Sequence, residues 1–314
     1  MSARILLTGK NGQVGTELAA FLPRLGQVVA LDRRQLDLAK PDDIRRAIRE
    51  ARPQLIVNAA AYTAVDQAET DQAAARAVNA DAPAVIAEEA KKIGASIVHY
   101  STDYVFDGTK HSPYDESDPP NPASVYGKTK LAGEMAIRES GVPHLIFRTA
   151  WVYATRGRNF LLTILRLASQ GEELRIVHDQ IGAPTWCREI ARATTLIVEH
   201  LSQDGRSLSS SPQVGGTYHM TAGGMASWCD FAQAILVEAS KAPPSVSLLA
   251  SATGGRPLLA RRVVPITTAE YPTAARRPAY SVLSNARLSG TFGVQLPAWR
   301  EQLHSAFSAS SSPL

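Results

Sequence analysis

Through the first half of the chain, short apolar runs alternate with longer amphipathic segments. Ile5-Leu6-Leu7, Val28-Val29-Ala30-Leu31, Leu55-Ile56-Val57, Ile97-Val98-His99-Tyr100 and Leu145-Ile146-Phe147 are mostly unbroken by polar positions. Runs of this kind fit strands covered on both faces, as in a parallel sheet. Between them the pattern predicts helices over Gly15 to Leu22, Asp42 to Ala51, Ala73 to Ile93 and Tyr126 to Glu139. Asp42 and Asp81 stand at predicted helix starts, Gly94 and Gly141 at predicted ends. Such alternation predicts right-handed βαβ units in an open, doubly wound sheet.

After Trp151 the pattern loosens. Helices are predicted over Phe160 to Gln170, Ile190 to Leu201 and Phe231 to Ser240, with short strands at Ile176-Val177 and Tyr218-His219-Met220. The Ser- and Gly-rich stretch Ser202 to Gly216 reads as an exposed loop, Pro257 to Pro278 as irregular, and Ser305 to Leu314 as a frayed tail. The expected architecture is α/β. A Rossmann-type doubly wound parallel sheet over residues 1–150 would bind a dinucleotide. A smaller, irregular α/β region over residues 151–314 would mainly bind substrate, with some segments returning to the sheet.

Composition narrows the function classes. The 314 residues suffice for one large domain or two moderate ones, with 45% hydrophobic and 20% charged residues, ordinary for a globular protein. The net charge is +4, and paired arginines such as Arg33-Arg34 and Arg276-Arg277 are scattered along the chain, which argues against a nucleic-acid partner. Cys187 and Cys229 form no metal-ligand pattern and read as buried free thiols. No apolar stretch approaches the roughly 20 residues of a membrane span. Met1-Ser2-Ala3-Arg4 lacks signal-peptide architecture, so a cytoplasmic protein is expected.

Thr8-Gly9-Lys10-Asn11-Gly12-Gln13-Val14-Gly15 follows the first strand directly and opens the first helix. Glycines at these positions allow a sharp turn, close approach to a pyrophosphate, and tight helix packing. The helix N-terminus adds unpaired N–H groups and the positive end of its dipole. Asp32 closes the second strand, where an acidic residue would meet the adenosine ribose. Arg33 and Arg34 follow at once and suit a ribose 2′-phosphate. The residues therefore allow NADPH, NADH or both, with NADPH favoured.

Further on, Tyr126 and Lys130 are spaced to share one helix face, downstream of Thr102 at the end of an apolar run. A lysine ammonium beside a phenol favours the phenolate, so the Tyr126 pKa is expected to be lowered. Tyr126 would then exchange a proton with a substrate oxygen that Thr102 holds.

These segments are similar to the dTDP-4-dehydrorhamnose reductase family, in the extended group of short-chain dehydrogenase/reductases. The resemblance runs through Gly9 to Gly15, Val57 to Glu69, Ser101 to Gly108, Tyr126 to Glu134, Arg148 to Tyr153, Asn159-Phe160, Asp179 to Thr185 and Tyr271 to Pro278, in family order. It implies reduction of the C4 ketone of a nucleotide-linked deoxysugar by NADPH or NADH. Asn11, Gly12, Gln13 and Val14 would cradle the pyrophosphate, Asp37 and Leu38 would border the adenine, and Ala60, Ala61, Tyr62 and Tyr100 would lie along the cofactor. Thr102, Tyr126 and Lys130 would carry the chemistry, and Asp103, Tyr104 and Trp151 would contact the sugar. Ala154 departs from a common family glycine, and Ser202 to Gln213 reads as a variable insertion. Some members hold Mg2+ between subunits; Glu17 and Glu189 match part of that site, but Arg188 opposes a cation, so no metal is expected. A homodimer is implied by resemblance alone. Rival readings are a sugar-nucleotide epimerase or dehydratase, and a non-catalytic dinucleotide-binding regulatory subunit. Thr102-Asp103-Tyr104 lacks the Asp-Glu pair a dehydratase uses.

Overall fold

The computed structural model describes residues 3–203, 214–243 and 246–309. The apolar runs of the first half form β1 (Ala3–Thr8), β2 (Gly26–Leu31), β3 (Leu55–Asn58), β4 (Ser96–Thr102) and β5 (His144–Thr149). Shorter strands follow: β6 (Val152–Tyr153), β7 (Glu173–Val177), β8 (Ile181–Gly182), β9 (Thr185–Trp186), β10 (Gly216–His219), β11 (Ala226–Ser227) and β12 (Arg262–Ile266). β10 joins the first five in one parallel sheet of order β10-β5-β4-β3-β1-β2. The order reverses at β1, which leaves a crevice beyond the carboxyl ends of β1 and β3, where open α/β sheets bind ligands.

Alternate strand residues serve opposite faces. Ile5, Leu7, Val57, Val98 and Phe147 pack in one cluster with Leu18 of α1 (Gln13–Phe21) and Ile190 and Ile197 of α8 (Cys187–Gln203). Leu6, Ile56, Ile97 and Ile146 pack with Ile44 of α2 (Pro41–Ala51), Ile86 of α5 (Ala82–Ile93) and Ile137 of α6 (Val125–Ser140). The result is a Rossmann-type three-layer arrangement. A third cluster lies off the sheet, where Leu161, Phe231, Leu248 and Leu303 meet from α7 (Phe160–Ala168), α9 (Trp228–Lys241), α10 (Ser247–Thr253) and α12 (Trp299–Ala309). Helices α3 (Val65–Ala68), α4 (Gln72–Arg76) and α11 (Ala286–Phe292) complete the set. Gly94 and Gly141 end α5 and α6 with φ of 69° and 72°, as their lack of a Cβ allows.

Several expectations are corrected. α2 starts at Pro41, which suits a first helical position, so Asp42 lies inside the first turn. Asp81 is the N-cap of α5 as expected, but its side chain caps nothing, because α4 runs through a π-helical turn at Ala77–Asp81 into α5. Pro83 has no N–H to give the preceding turn, and the wider turn takes up that discontinuity. The segment Pro257 to Pro278 contains β12, parallel to β7; Pro265 is tolerated because β12 has a single neighbour. Residues 305–309 are helical rather than frayed, with Phe307 buried in the third cluster; 310–314 lie outside the described residues. Most of the expected loop and insertion over Ser202 to Gly216, namely 204–213, lies outside them as well, while Ser202 and Gln203 end α8 and Gly216 begins β10. Cys187 and Cys229 are free and buried. Among the described residues no helix is long and apolar enough to cross a membrane.

Candidate active site

Backbone geometry makes the first glycine loop a cradle. Gly9 has φ of 71°, and a Cβ there would lie 2.8 Å from the Ala60 backbone at the end of β3. A Cβ on Gly15 would sit 2.0 Å from the Gly9 carbonyl oxygen, so α1 rests directly on the turn. Gly12 N–H donates to Gly9 O at 2.9 Å, and Thr16 Oγ1 donates to Lys10 O at 2.9 Å. The first-turn N–H groups of α1 have no partner within the helix, as at any helix start. Val14 is wedged between two core clusters, and Gln13 Oε1 is buried without a hydrogen-bond partner. A bare backbone nest plus an unmet buried acceptor fits a dinucleotide pyrophosphate with its neighbouring hydroxyls.

Asn11, Asp32, Arg33, Arg34 and Asp37 line one cleft beside this loop. Burial pushes the Asp32 carboxyl up, but the Gln35 and Arg34 N–H groups, with Lys10 and Asn11, more than offset it, so its pKa is lowered. Arg33 and Arg34 are exposed, while Leu38 is buried in the core and only its neighbour Asp37 borders the cleft. Ala60 backs Gly9, Ala61 follows it, and Tyr62 is fixed by its N–H to Asn79 Oδ1 at 2.9 Å and its hydroxyl to Asp71 at 3.3 Å.

Thr102 ends β4 and caps a short turn, its Oγ1 accepting from Tyr104 N at 3.1 Å and donating to Asp103 Oδ1 at 3.0 Å. Ser124 caps α6 by accepting from Gly127 N at 3.1 Å, which sets Tyr126 in the first turn. Burial pushes the phenol's pKa up to about 12; the Thr102 hydroxyl is near enough to ease its ionisation, and the Asp103 charge adds to the rise. The expected lowering by Lys130 is thus corrected. Lys130 Nζ turns inward instead, donating to Tyr100 O at 2.6 Å and lying 3.3 Å from His99 Nε2. Its burial lowers its own pKa to about 8. Tyr100 offers only its carbonyl here. Its ring is packed against the opposite face of the sheet, with its hydroxyl 2.8 Å from Thr194 Oγ1 of α8.

Asp103 does not cap the turn; Thr102 does. Its carboxyl is 2% exposed, and burial raises its pKa to about 6. Oδ2 has no partner within hydrogen-bond distance, and neither does the nearby Ser281 hydroxyl, though that hydroxyl is near enough to ease the carboxyl's ionisation. Tyr104 packs edge-on against Tyr126, ring centroids 5.7 Å apart, and burial raises its pKa. Asp66 grips Arg277 through two oxygens at 3.1 and 2.7 Å and accepts from Ala275 N at 3.0 Å. This pairing fastens the segment around Ala275 and Arg277 to α3.

Trp151 stands just past β5 with φ of 47°, a left-handed conformation that costs a bulky residue about 1–3 kcal/mol. Its indole stacks on Trp228 with centroids 3.5 Å apart and planes 2° from parallel. A Cβ on Gly182 would come within 2.4 Å of the same indole. Trp228 is itself held by Nε1 donating to Gln180 Oε1 at 3.2 Å and by Phe160, 4.5 Å away. Sequence reasoning missed Trp228, Ser281 and the Asp66–Arg277 pair. They reach the site only through the chain's return, and no local spacing reports them.

Glu17 pairs with Arg156 at 2.7 Å and Glu189 with Arg192 at 2.8 Å. No group of three His, Cys, Asp or Glu side chains suited to a metal occurs among the described residues. Arg188 lies over the Trp186 ring. Ala154 is fully buried, so its methyl group is accommodated where glycine is common.

The sequence and fold have clear relatives. A dTDP-4-dehydrorhamnose reductase of Burkholderia thailandensis is 51% identical over 297 residues, which is 95% of each chain. The crystal structure of a dTDP-4-dehydrorhamnose reductase from Clostridium acetobutylicum superposes with a TM-score of 0.84 at 36% identity, covering 98% of this chain and 99% of that one. That of the Bacillus anthracis enzyme in complex with NADP gives 0.83 at 34% identity, covering 98% and 100%. The family model described as RmlD substrate binding domain matches residues 3–311, and the chain belongs to that family.

Proposed function

We propose that this chain is a dTDP-4-dehydrorhamnose reductase, reducing the C4 ketone of dTDP-4-dehydro-β-L-rhamnose to dTDP-L-rhamnose with NADPH. The observation that carries the reading is the Thr102 hydroxyl close to the buried Tyr126 phenol, with Lys130 one helical turn on, in the same chain as a glycine cradle. Relatives that share almost the whole length bear this name, and one is in complex with NADP.

In this proposal residues 1–150 chiefly hold the dinucleotide and 151–314 chiefly the sugar nucleotide. Gly9, Asn11, Gly12, Gln13, Val14 and Gly15 take the pyrophosphate; Asp32, Arg33 and Asp37 border the adenosine, with Leu38 behind Asp37 in the core; Ala60, Ala61, Tyr62 and the Tyr100 carbonyl region flank the rest. The bound reduced nicotinamide supplies the hydride to C4. Thr102 holds the ketone oxygen, and Tyr126 gives that oxygen its proton as the alkoxide develops. A phenol kept protonated by burial suits this direction, because an alkoxide is the stronger base. Lys130 Nζ donates to Tyr100 O and lies beside His99 Nε2, and a remaining N–H would meet the cofactor ribose. Asp103, Tyr104 and Trp151 contact the deoxysugar. The chain would work in the cytoplasm as a homodimer.

The test is a coupled assay that supplies dTDP-glucose with the preceding dehydratase and 3,5-epimerase and follows NADPH or NADH loss. Stoichiometric oxidation is expected. An epimerase or dehydratase would consume none, and that result would sink the reductase reading. Tyr126→Phe should lose ~10²–10⁴ in kcat while still binding NADPH.

A further inference from the structure

We infer that Lys10, aimed by Gln35, sets cofactor choice through Asp32: it balances the carboxylate that would otherwise favour a plain ribose, so that the cleft admits a 2′-phosphate. The inference deepens the proposed function and rests on its reading of this cleft as the adenosine end of the dinucleotide site.

The turn after β2 builds the arrangement. Arg34 N and Gln35 N donate to Asp32 Oδ1 at 2.9 and 3.2 Å. Asn11 Nδ2 donates to Oδ2 at 3.3 Å, and Lys10 Nζ lies 3.8 Å from the same oxygen. Gln35 Oε1 accepts from Lys10 Nζ at 2.7 Å and from Asp32 N at 3.2 Å, so one amide oxygen ties the lysine to the aspartate backbone. Lys10 N donates to Leu31 O at 3.2 Å, which holds the glycine loop against the end of β2. Asp32 lines the cleft together with Asn11, Arg33, Arg34 and Asp37. Lys10 acts on that cleft through Asp32.

An acidic residue at this position ordinarily accepts from the ribose 2′-hydroxyl and so favours NADH. A carboxylate has about four lone-pair sites. Here Oδ1 already takes two N–H groups, and Oδ2 takes the Asn11 amide and faces an ammonium. Little acceptor capacity is left for a hydroxyl. Charge decides the other half of the choice. Asp32 and Asp37 would repel a phosphate, and Arg33 and Arg34 alone only match them in number. Lys10 tips the balance to positive, and at 3.8 Å it lies far inside the roughly 8 Å over which physiological salt screens charges.

Removing the ammonium should therefore weaken a 2′-phosphorylated cofactor and leave the unphosphorylated one nearly unchanged. A partly exposed pair supports a loss of roughly 3- to 10-fold. A role confined to folding of the glycine loop would weaken both cofactors alike.

Calorimetric titration with NADP+ and with NAD+, which differ only in the 2′-phosphate, tests this without substrate or turnover. Wild type should bind NADP+ more tightly. Lys10→Met should lose that preference by the stated factor, with NAD+ affinity held within about 2-fold. Equal losses for both cofactors, or an unchanged NADP+ affinity, overturn the inference. Asp32→Asn in the Lys10→Met background removes the unbalanced carboxylate and should bring NADP+ affinity back to within about 2-fold of wild type. A double variant as weak as Lys10→Met shows that Lys10 does not act through Asp32. Gln35→Leu, which unties the lysine and keeps its charge, should give a smaller loss of the same sign, and wild-type binding removes Gln35 from the assignment. A chain that binds NADP+ yet oxidises no NADPH in the coupled assay fails as a reductase, while these titrations still decide the role of Lys10.

Discussion

Trp151 and Trp228 lie face to face, 3.5 Å between centroids, although they come from a loop after β5 and the start of α9. The stack props an indole held in a left-handed backbone conformation. Trp228→Ala removes the prop and leaves Gln180 Oε1 without its indole donor. An aromatic pair contributes about 0.5–1.5 kcal/mol, so KM for the sugar nucleotide should rise up to ~10-fold with a smaller change in kcat. Steady-state kinetics check this, and an unchanged KM would separate Trp151 from the sugar.

Gly15→Ala tests the cradle. The new methyl would overlap the Gly9 carbonyl, at 2.0 Å, and the helix would have to lift off the turn. We expect ~10-fold or greater loss of NADPH affinity and about 1–3 kcal/mol of stability. Fluorescence titration and denaturant unfolding measure the two. Normal cofactor affinity in a folded variant would move the phosphate site elsewhere.

Asp103 gives a pH signature. Its folded pKa, about 6, lies above the reference value of 3.8, so its contribution to stability is fully present below pH 4 and is lost as pH rises through 6. Asp103→Asn stays neutral and escapes that loss. The variant should match wild type near pH 4 and be more stable at pH 8 by roughly 1–3 kcal/mol, although kcat/KM falls. Calorimetry across this range is the check; a wild-type advantage at pH 8 would mean the carboxylate is stabilised, not penalised.

Arg148 and Glu134 form a sealed pair, Nε to Oε1 at 2.9 Å and Nη2 to Oε2 at 2.7 Å. Glu134→Ala strands the guanidinium in the core and should cost about 3–5 kcal/mol. Replacing both by Leu and Met should cost less than either single change. Urea unfolding of the double variant and of the matching Glu134 and Arg148 single variants decides it, and strict additivity would contradict the coupling.

The parts legible in sequence were those where geometry restricts residue type. Gly9 and Gly15 occupy sites where any Cβ collides, so the cradle was readable from spacing. The buried strands were readable because both faces demand apolar residues. Tyr126 and Lys130 were correctly placed on one helix, but spacing fixes a face and not a rotamer. The inward turn of Lys130 depended on the Tyr100 carbonyl and His99, on another element. β12 was hidden because Pro265 reads as a breaker until its single-sided pairing is known. Trp228 was invisible for a simpler reason: stacking partners far apart in sequence leave no periodic trace.

The edge position of β10 carries a consequence for how the protein is made. During synthesis β5 emerges with one flank bare, its N–H and C=O groups unmatched until Gly216–His219 arrives much later. A fragment cut after residue 150 would carry that raw flank, and would also lack α8, which roofs the Leu7 and Val57 side. Anyone grafting the first half of the sheet onto another protein must carry both pieces along, or expect a sticky, half-built sheet.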